Sequence, residues 1–237
     1  DTSADLDEAV LGVRQSAFGF QGQKCSACSR VIVVDPEGEN GPAITNFLRR
    51  FVEATRSLTI GDPLQPGTDI GPVIDAEAHA KIQSMIDKAK AEGCKLELQM
   101  PLPQGLARPY VPPTIFSNVR PDHTIAREEI FGPVVAVMHA ASFDEALAIA
   151  NAPDYKLTGG VFSRMPSHLE QAKREFRVGN LYINRGITGA LVARQPFGGF
   201  AMSGVGSKAG GADYLLQFVE PRASCENTLR RGFAPEL

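Results

Sequence analysis

Strand-like and helical patterns alternate through the second half of this chain, and their order constrains the fold more than any other feature. The strand-like segments are 134–138, 160–163 and 180–184. Between them, Ser142 and Glu145 form a capping box that opens a helix through Ala150, and helical spacing returns over 169–176. A β-α-β-α-β order is typical of a parallel sheet covered by helices. We therefore expect an α/β fold with a mostly parallel open sheet flanked by helices.

The first half of the chain adds helices and one buried strand. Helical spacing covers residues 3–18, 43–58 and 75–92. The apolar run 31–34 predicts a buried strand, while the Gly- and Pro-rich stretch 61–72 cannot continue a helix and predicts a long loop. Gly19 and Gly22 interrupt the first helical pattern. Cys25 is therefore expected on a connection from a helix to a strand.

Composition excludes several classes of protein. A hydrophobic content of 43%, a charged content of 22% and a formal charge of −3 are near the averages for globular proteins. The basic residues are scattered, and the arginine pairs at 49–50 and 230–231 favour solvated faces over a phosphate-binding stripe. We expect no nucleic-acid partner. No apolar run is long enough to span a membrane and no secretory leader is evident, so a cytoplasmic location is expected.

The four cysteines are too few for a disulfide scaffold, and two of them lie close together. Cys25 and Cys28 have the spacing of a redox dithiol or of half a zinc site. A structural zinc site needs two more ligands at short spacing, and Cys94, Cys225 and the histidines are isolated, so no metal site is predicted. A single cysteine is more often a small buried apolar residue than a nucleophile. Cys25 nevertheless follows Lys24 in a glycine-containing loop, where a thiol could be accessible and reactive.

Four segments, in the right order along the chain, resemble the aldehyde dehydrogenase family. They are GQKCSACSR at 22–30, GDPLQPGTDIGPVI at 61–74, REEIFGPVV at 127–135 and LTGGVFSR at 157–164. The first resembles the cysteine signature of the family, which implies that Cys25, and not Cys28, is the covalent nucleophile. The third resembles the EEIFGP motif, which implies that Glu129 holds the nicotinamide ribose of NAD and that Phe131 abuts the nicotinamide.

A further stretch resembles the pyrroline-5-carboxylate dehydrogenase branch of that family. It is NRGITGALVARQPFGGFAMSGVGSKAG at 184–210, and ENTLRRGFAP at 226–235 resembles the monofunctional bacterial members. This resemblance implies oxidation of L-glutamate γ-semialdehyde to glutamate in proline catabolism, with NAD or NADP. Gly189 and Ala190 would then bind the substrate α-carboxylate through backbone N–H groups. Ser26 would donate beside the nucleophile, and Phe197 would pack on the aliphatic part. On the residues alone, a glycine-rich turn could simply reverse the chain.

The resemblance also implies a mechanism, and some groups that this mechanism needs have no counterpart in these residues. The Cys25 thiolate attacks the aldehyde carbon, a hydride passes to NAD, and the thioester is hydrolysed. The Cys25 backbone N–H is the local candidate to stabilise the oxyanion. The nucleotide-binding domain, the general-base glutamate and a second oxyanion donor have no counterpart in these residues. We therefore expect a catalytic domain over 1–219 without its NAD-binding domain, weak NAD binding and no activity from this chain alone.

The C-terminal residues suggest assembly. In the family a C-terminal strand crosses to a partner subunit, and residues 223–234 match its position, so 220–237 is expected to be an oligomerisation arm and the protein a homo-oligomer. Two alternatives stay open. The Cys25 and Glu129 motifs occur throughout the family, which allows an aldehyde dehydrogenase of other specificity. The chain could also be a fragment that acts only as a binding or oligomerisation module.

Overall fold

Helices and strands alternate along the part of the chain that the computed structural model describes, which is residues 1–228 and residue 232. The helices are α1 (Leu6–Phe18), α2 (Pro42–Arg56), α3 (Ala76–Ala91), α4 (Thr124–Arg127), α5 (Phe143–Asn151) and α6 (Pro166–Glu175). The strands are β1 (Arg30–Val34), β2 (Lys95–Gln99), β3 (Thr114–Ser117), β4 (Val134–Ala140), β5 (Tyr155–Lys156), β6 (Thr158–Val161), β7 (Asn180–Ile183) and β8 (Phe200–Ala201). Short 3-10 turns cover Gly19–Gly22 and Tyr214–Phe218.

A four-stranded sheet with the order β1-β4-β3-β2 forms the centre of the fold. Strand β4 pairs in parallel with β1 and β3, and β2 is antiparallel to β3. Alternate residues of β4 point to opposite faces: Val135 and Val137 pack with α1 and α2, while Val134 and Met138 pack with α3. Both faces of the sheet are therefore buried under helices. The predicted α/β fold, with a mostly parallel sheet flanked by helices, is confirmed.

The strands of the second half do not all join that central sheet. Strand β4 belongs to it, but β6 and β7 form a separate parallel pair, and β5 pairs antiparallel with β8. The strand expected at 160–163 lies at Thr158–Val161, where its residues pair with Asn180–Ile183. A third apolar cluster joins Val34, Val161 and α5. The four-stranded sheet and the β6–β7 pair are thus held together by side-chain packing rather than by strand pairing.

At the start of helix α2, a buried carboxylate accepts hydrogen bonds from several backbone amides. Asp35 is 1% exposed, and its Oδ2 accepts hydrogen bonds from the amides of Ala43 (2.8 Å) and Ile44 (3.0 Å). Its Oδ1 accepts from the amide of Glu37 (3.1 Å). Burial by itself would raise the pKa of Asp35, but these hydrogen bonds outweigh it and hold the pKa below its ordinary value. A Cβ on Gly41 would lie 2.4 Å from the carboxylate oxygens, so this turn requires glycine.

The C-terminal segment carries no helix or strand in its described residues beyond Phe218. Residues 229–231 and 233–237 lie outside the described part of the chain, and with them part of the expected arm over 220–237 and the arginine pair at 230–231. The boundary at 219 and the oligomerisation role of the arm stay predictions. As for membranes, none of the helices within 1–228 is long and apolar enough to cross one.

We expect Asp35→Ala to lower the free energy of unfolding by about 2–3 kcal/mol, because buried amides lose a charged acceptor. Asp75→Ala is the matched control. It removes an exposed cap of α3 that accepts from the amide of Ala78 (2.7 Å), and it should cost about 1 kcal/mol. Urea unfolding measures both losses. Equal losses in the two variants would contradict this role for Asp35.

Comparing the unsubstituted chain with Asp35→Ala at different pH values gives a second test. Because the folded pKa of Asp35 is below its unfolded value, the stabilisation is fully present above about pH 4 and is lost as the pH falls through the folded pKa. The stability difference between the unsubstituted chain and Asp35→Ala should therefore shrink in acid.

Candidate active site

Cys25 lies in the connection between α1 and β1, on a loop with a strained entry. The turn Gly19–Gly22 reverses the chain after α1, with Phe20 in the left-handed region at φ 57°. A hydrogen bond from the amide of Ala27 to the carbonyl of Lys24 (3.0 Å) closes a turn around Cys25. The Cys25 thiol is exposed, and its own amide donates no hydrogen bond to any described residue. A covalent nucleophile with a local oxyanion donor needs these two features.

Cys28 is less exposed than Cys25 and is hydrogen-bonded within the loop. Burial raises the pKa of the Cys28 thiol to about 11, against a smaller opposing effect of Arg30. Its Sγ donates to the carbonyl of Arg30 (3.4 Å), and its amide donates to the carbonyl of Ser16 (3.0 Å). Cys28 therefore anchors the loop that presents Cys25. Within residues 1–228 and 232, no group of three or more His, Cys, Asp or Glu residues is arranged to hold a metal ion.

Glu129 and Phe131 line the same cavity as Cys25. This cavity has a volume of about 700 Å³ and extends between β1 and β6. Phe131 is 40% exposed and lies in the left-handed region at φ 58°. Such strain in a bulky residue is uncommon and concentrates at functional sites. The exposed carboxylate of Glu129 makes no hydrogen bond or ion pair with any residue that the structure describes. Both groups are therefore available to a ligand.

Two glycines bring the Cys25 loop and the Phe131 segment together. A Cβ on Gly22 would lie 2.3 Å from the carbonyl oxygen of Gly132, and Gly22 has φ +66°. A Cβ on Gly132 would lie 2.6 Å from Cδ1 of Ile82. Glycine at position 22 therefore allows the two backbones to approach, and glycine at position 132 allows the Phe131 segment to pack against Ile82 of α3. From the sequence alone, Gly22 indicates only the end of a helix and Gly132 indicates no role, because neither has a side chain that suggests chemistry.

The loop after β7 carries two of the predicted substrate contacts. Gly189 is exposed with φ 80°, and Ala190 is half-buried. The amides of both residues donate no hydrogen bond within the described part of the chain. The start of this loop, at Gly186 and Ile187, lines the Cys25 cavity, whereas Gly189 and Ala190 are not among its lining residues. The loop thus runs from the cavity edge to an exposed pair of free amides.

The other two predicted substrate contacts are less exposed. Ser26 is buried at 9% exposure, and its carbonyl accepts a hydrogen bond from Oγ1 of Thr158 (3.5 Å). Phe197 is half-buried, and its backbone exchanges two hydrogen bonds with Ala209, at 2.8 and 2.9 Å. Neither lines the Cys25 cavity. Their roles stay predictions.

Two polar residues near the site are engaged elsewhere. The side chain of Asn184, at the end of β7, accepts from the amide of Ser163 and donates to its carbonyl, both at 2.9 Å. Asn184 therefore ties the end of β7 to the end of β6. Lys24, the cation next to Cys25 in sequence, places its ammonium 5.7 Å from the centre of the Phe20 ring.

Comparison with known proteins identifies similar chains. The 1-pyrroline-5-carboxylate dehydrogenase of Geobacillus kaustophilus is 48% identical over 227 residues, which cover 95% of this chain and 42% of that protein. The solved structure of proline utilization A from Bdellovibrio bacteriovorus is 53% identical with a TM-score of 0.89, over 100% of this chain and 24% of that one. The 1-pyrroline-5-carboxylate dehydrogenase from Thermus with bound NAD is 47% identical with a TM-score of 0.84, over 92% and 40%.

The family match covers all the residues of the candidate site. The sequence profile of the Aldehyde dehydrogenase family matches residues 1–223, which include the Cys25 loop, Glu129, Phe131 and the loop after β7. The chain spans about 42% of the length of the curated relatives that it matches. From the extent of this match and the level of identity, we conclude that the chain belongs to the aldehyde dehydrogenase family.

Proposed function

We propose that the protein carrying this chain oxidises L-glutamate γ-semialdehyde, the open form of pyrroline-5-carboxylate, to glutamate with NAD or NADP. One observation carries most of the argument: the exposed Cys25 thiol shares a cavity with a free carboxylate at Glu129 and an exposed, strained aromatic ring at Phe131. The names of the relatives from Geobacillus and Thermus support the choice of substrate.

The reaction begins at Cys25. Its thiolate attacks the aldehyde carbon, forming a C–S bond and a tetrahedral alkoxide, and the free Cys25 amide donates a hydrogen bond to that oxygen. The carbonyl re-forms as the carbon loses its hydrogen with both electrons, which leaves a thioester on Cys25. Water then cleaves the C–S bond, which releases glutamate and the thiol. NAD, when bound, supplies the acceptor for the hydride.

The residues of this chain suit the nicotinamide end of the cofactor. The unpaired Glu129 carboxylate can accept hydrogen bonds from ribose hydroxyls, and the exposed face of Phe131 can bound the nicotinamide ring. Because Gly22 and Gly132 bring their segments into contact, this end of the cofactor would lie against the Cys25 loop. Hydride transfer requires that proximity.

The far end of the substrate carries an α-carboxylate. Free backbone amides in a turn with positive φ form an anion-binding nest, and Gly189 and Ala190 provide two of them. Ser26 would add a hydroxyl beside the nucleophile, and Phe197 would pack against the methylene groups. A substrate held at both ends places its aldehyde carbon at the thiol, which favours this substrate over simple aldehydes.

Alkylation should distinguish the four cysteines. We expect iodoacetamide to modify the exposed Cys25 and Cys225 at least about tenfold faster than Cys28 and Cys94, because burial raises the pKa of both protected thiols. Mass spectrometry of the peptides over time measures each rate. L-Glutamate should slow the labelling of Cys25 but not of Cys225. Equal rates for Cys25 and Cys28 would contradict the assignment of the nucleophile.

Substitution of the nucleophile tests the proposed function directly. Cys25→Ser should lower kcat for NADH formation from glutamate semialdehyde by about a thousandfold or more, because the covalent route is lost. Cys225→Ser, which changes another exposed thiol, should stay within about twofold of the unsubstituted protein. Steady-state kinetics on acetaldehyde complete the test. An efficiency on acetaldehyde equal to that on glutamate semialdehyde would favour an aldehyde dehydrogenase of other specificity.

A matched pair of glutamates tests the cofactor contact. Glu129→Ala should raise KM for NAD about tenfold or more, because a charged acceptor for the ribose is lost. Glu128→Ala is the control, since Glu128 is also exposed and lines the same cavity but has no predicted cofactor contact. Initial rates at varied NAD measure both constants. The same KM in the two variants would count against Glu129 as a cofactor ligand.

A further inference from the structure

Ser16, near the end of α1, is bonded to both loops that the proposed reaction uses. It is 2% exposed. Its carbonyl oxygen accepts a hydrogen bond from the amide of Cys28 (3.0 Å), in the loop that presents Cys25. Its hydroxyl accepts from the amide of Ile187 (3.0 Å), in the loop after β7, and donates to the carbonyl of Gly12 (2.7 Å). One buried serine thus connects the two loops, and its partner Ile187 is 171 residues away in sequence.

Glycines on both sides make this connection close. A Cβ on Gly186 would lie 2.9 Å from Oγ of Ser16 and 3.5 Å from the carbonyl of Gly12. A Cβ on Gly12 would lie 2.7 Å from Cζ of Phe162 and 3.5 Å from the amide of Gly186. A side chain at Gly186 would therefore crowd the Ser16 hydroxyl at the point where the loop after β7 crosses α1. The hydroxyl of Ser16 is the polar group that holds it there.

We infer that Ser16 is a positioning residue that fixes the span between the Cys25 thiol and the free amides of Gly189 and Ala190. The inference rests on the proposed function, in which the aldehyde carbon and the α-carboxylate are the two ends of one substrate. A fixed span between the groups that bind those ends selects substrates by length as well as by charge. Ser16 would therefore act on substrate choice without touching the substrate.

The bonds from Ser16 to the two loops can be separated experimentally. The bond to Cys28 uses the backbone carbonyl and survives the substitution Ser16→Ala, whereas the bond to Ile187 uses the side chain and is lost. The substitution should therefore loosen the loop after β7 and leave the Cys25 loop anchored. A general loss of packing would affect both loops together.

The test compares three aldehydes in the natural protein that carries this chain. Ser16→Ala should raise KM for glutamate semialdehyde about tenfold, as expected for the loss of one buried hydrogen bond. Efficiency on propanal, which has no carboxylate, and the rate of Cys25 alkylation should each change less than about twofold. The preference for glutamate semialdehyde over aspartate semialdehyde, which is one carbon shorter, should fall.

Thr55 provides a control for the loss of a buried hydrogen bond between a side-chain hydroxyl and a helix carbonyl. Thr55 is fully buried at the end of α2, and its Oγ1 donates to the carbonyl of Phe51 (2.8 Å), as Ser16 does to Gly12. Thr55→Val should leave all three efficiencies unchanged. Gly186→Ala displaces the loop from Ser16 without altering the Ser16 side chain, so it tests the same contact if Ser16→Ala does not fold. It should give the same split between substrates.

Each failure has its own signature. Equal losses on glutamate semialdehyde and propanal, or unchanged KM for glutamate semialdehyde, in a folded variant would overturn the role of Ser16 and leave the proposed function standing. No preference for glutamate semialdehyde over propanal in the unsubstituted protein would refute the proposed substrate, and the inference about Ser16 with it.

Discussion

The contact between Gly22 and Gly132 is the constraint on which the candidate site depends. A Cβ at Gly22 would overlap the carbonyl of Gly132, so the loop carrying Cys25 and the segment carrying Glu129 and Phe131 come together because Gly22 lacks a side chain. The thiol, the free carboxylate and the exposed ring then face one cavity. Chemistry that transfers a hydride from a carbon on Cys25 needs this proximity of nucleophile and cofactor groups.

Backbone strain and buried hydrogen bonds hold the surrounding loops in place. Phe20 and Phe131 both lie in the left-handed region, a conformation that surrounding structure must enforce in bulky residues. Cys28 contributes in two ways, since its buried thiol and its amide are both bonded to backbone carbonyls. Two nearby cysteines therefore differ in environment: the Cys25 thiol is exposed, and the Cys28 thiol is bonded within the loop.

The periodicity of apolar residues predicted the longer elements, because the residues that they bury recur at fixed intervals. Helices α1, α2 and α3 lie within two or three residues of the expected ranges, and the runs at β1 and β4 are strands. Strands β2, β5 and β8 gave no comparable signal. Strand β2, with the sequence KLELQ, is largely polar and lies at a sheet edge, and β5 and β8 have two residues each. Such strands are defined by pairing with partners that are distant in sequence. A local sequence pattern gives no information on those partners.

The site was predictable to the extent that its residues carry reactive groups in a known order. Cys25, Glu129 and Phe131 were identified from motifs that resemble the family. Ser16, Gly22 and Gly132 were not, because a serine inside a helix and two glycines suggest no chemistry until the distances between loops are known. Their contribution is to hold other residues in place, and that depends on contacts across 110 residues or more.

The central claim is that the aldehyde carbon becomes covalently bound to Cys25 and is oxidised there. Rapid acid quenching during turnover of glutamate semialdehyde with NAD, followed by peptide mass spectrometry, measures that intermediate. We expect an acyl adduct with the mass of a glutamyl thioester on the peptide containing Cys25. It should be present only when aldehyde and NAD are both added. NADH formation with no adduct at Cys25, or with the adduct at Cys225, would contradict it.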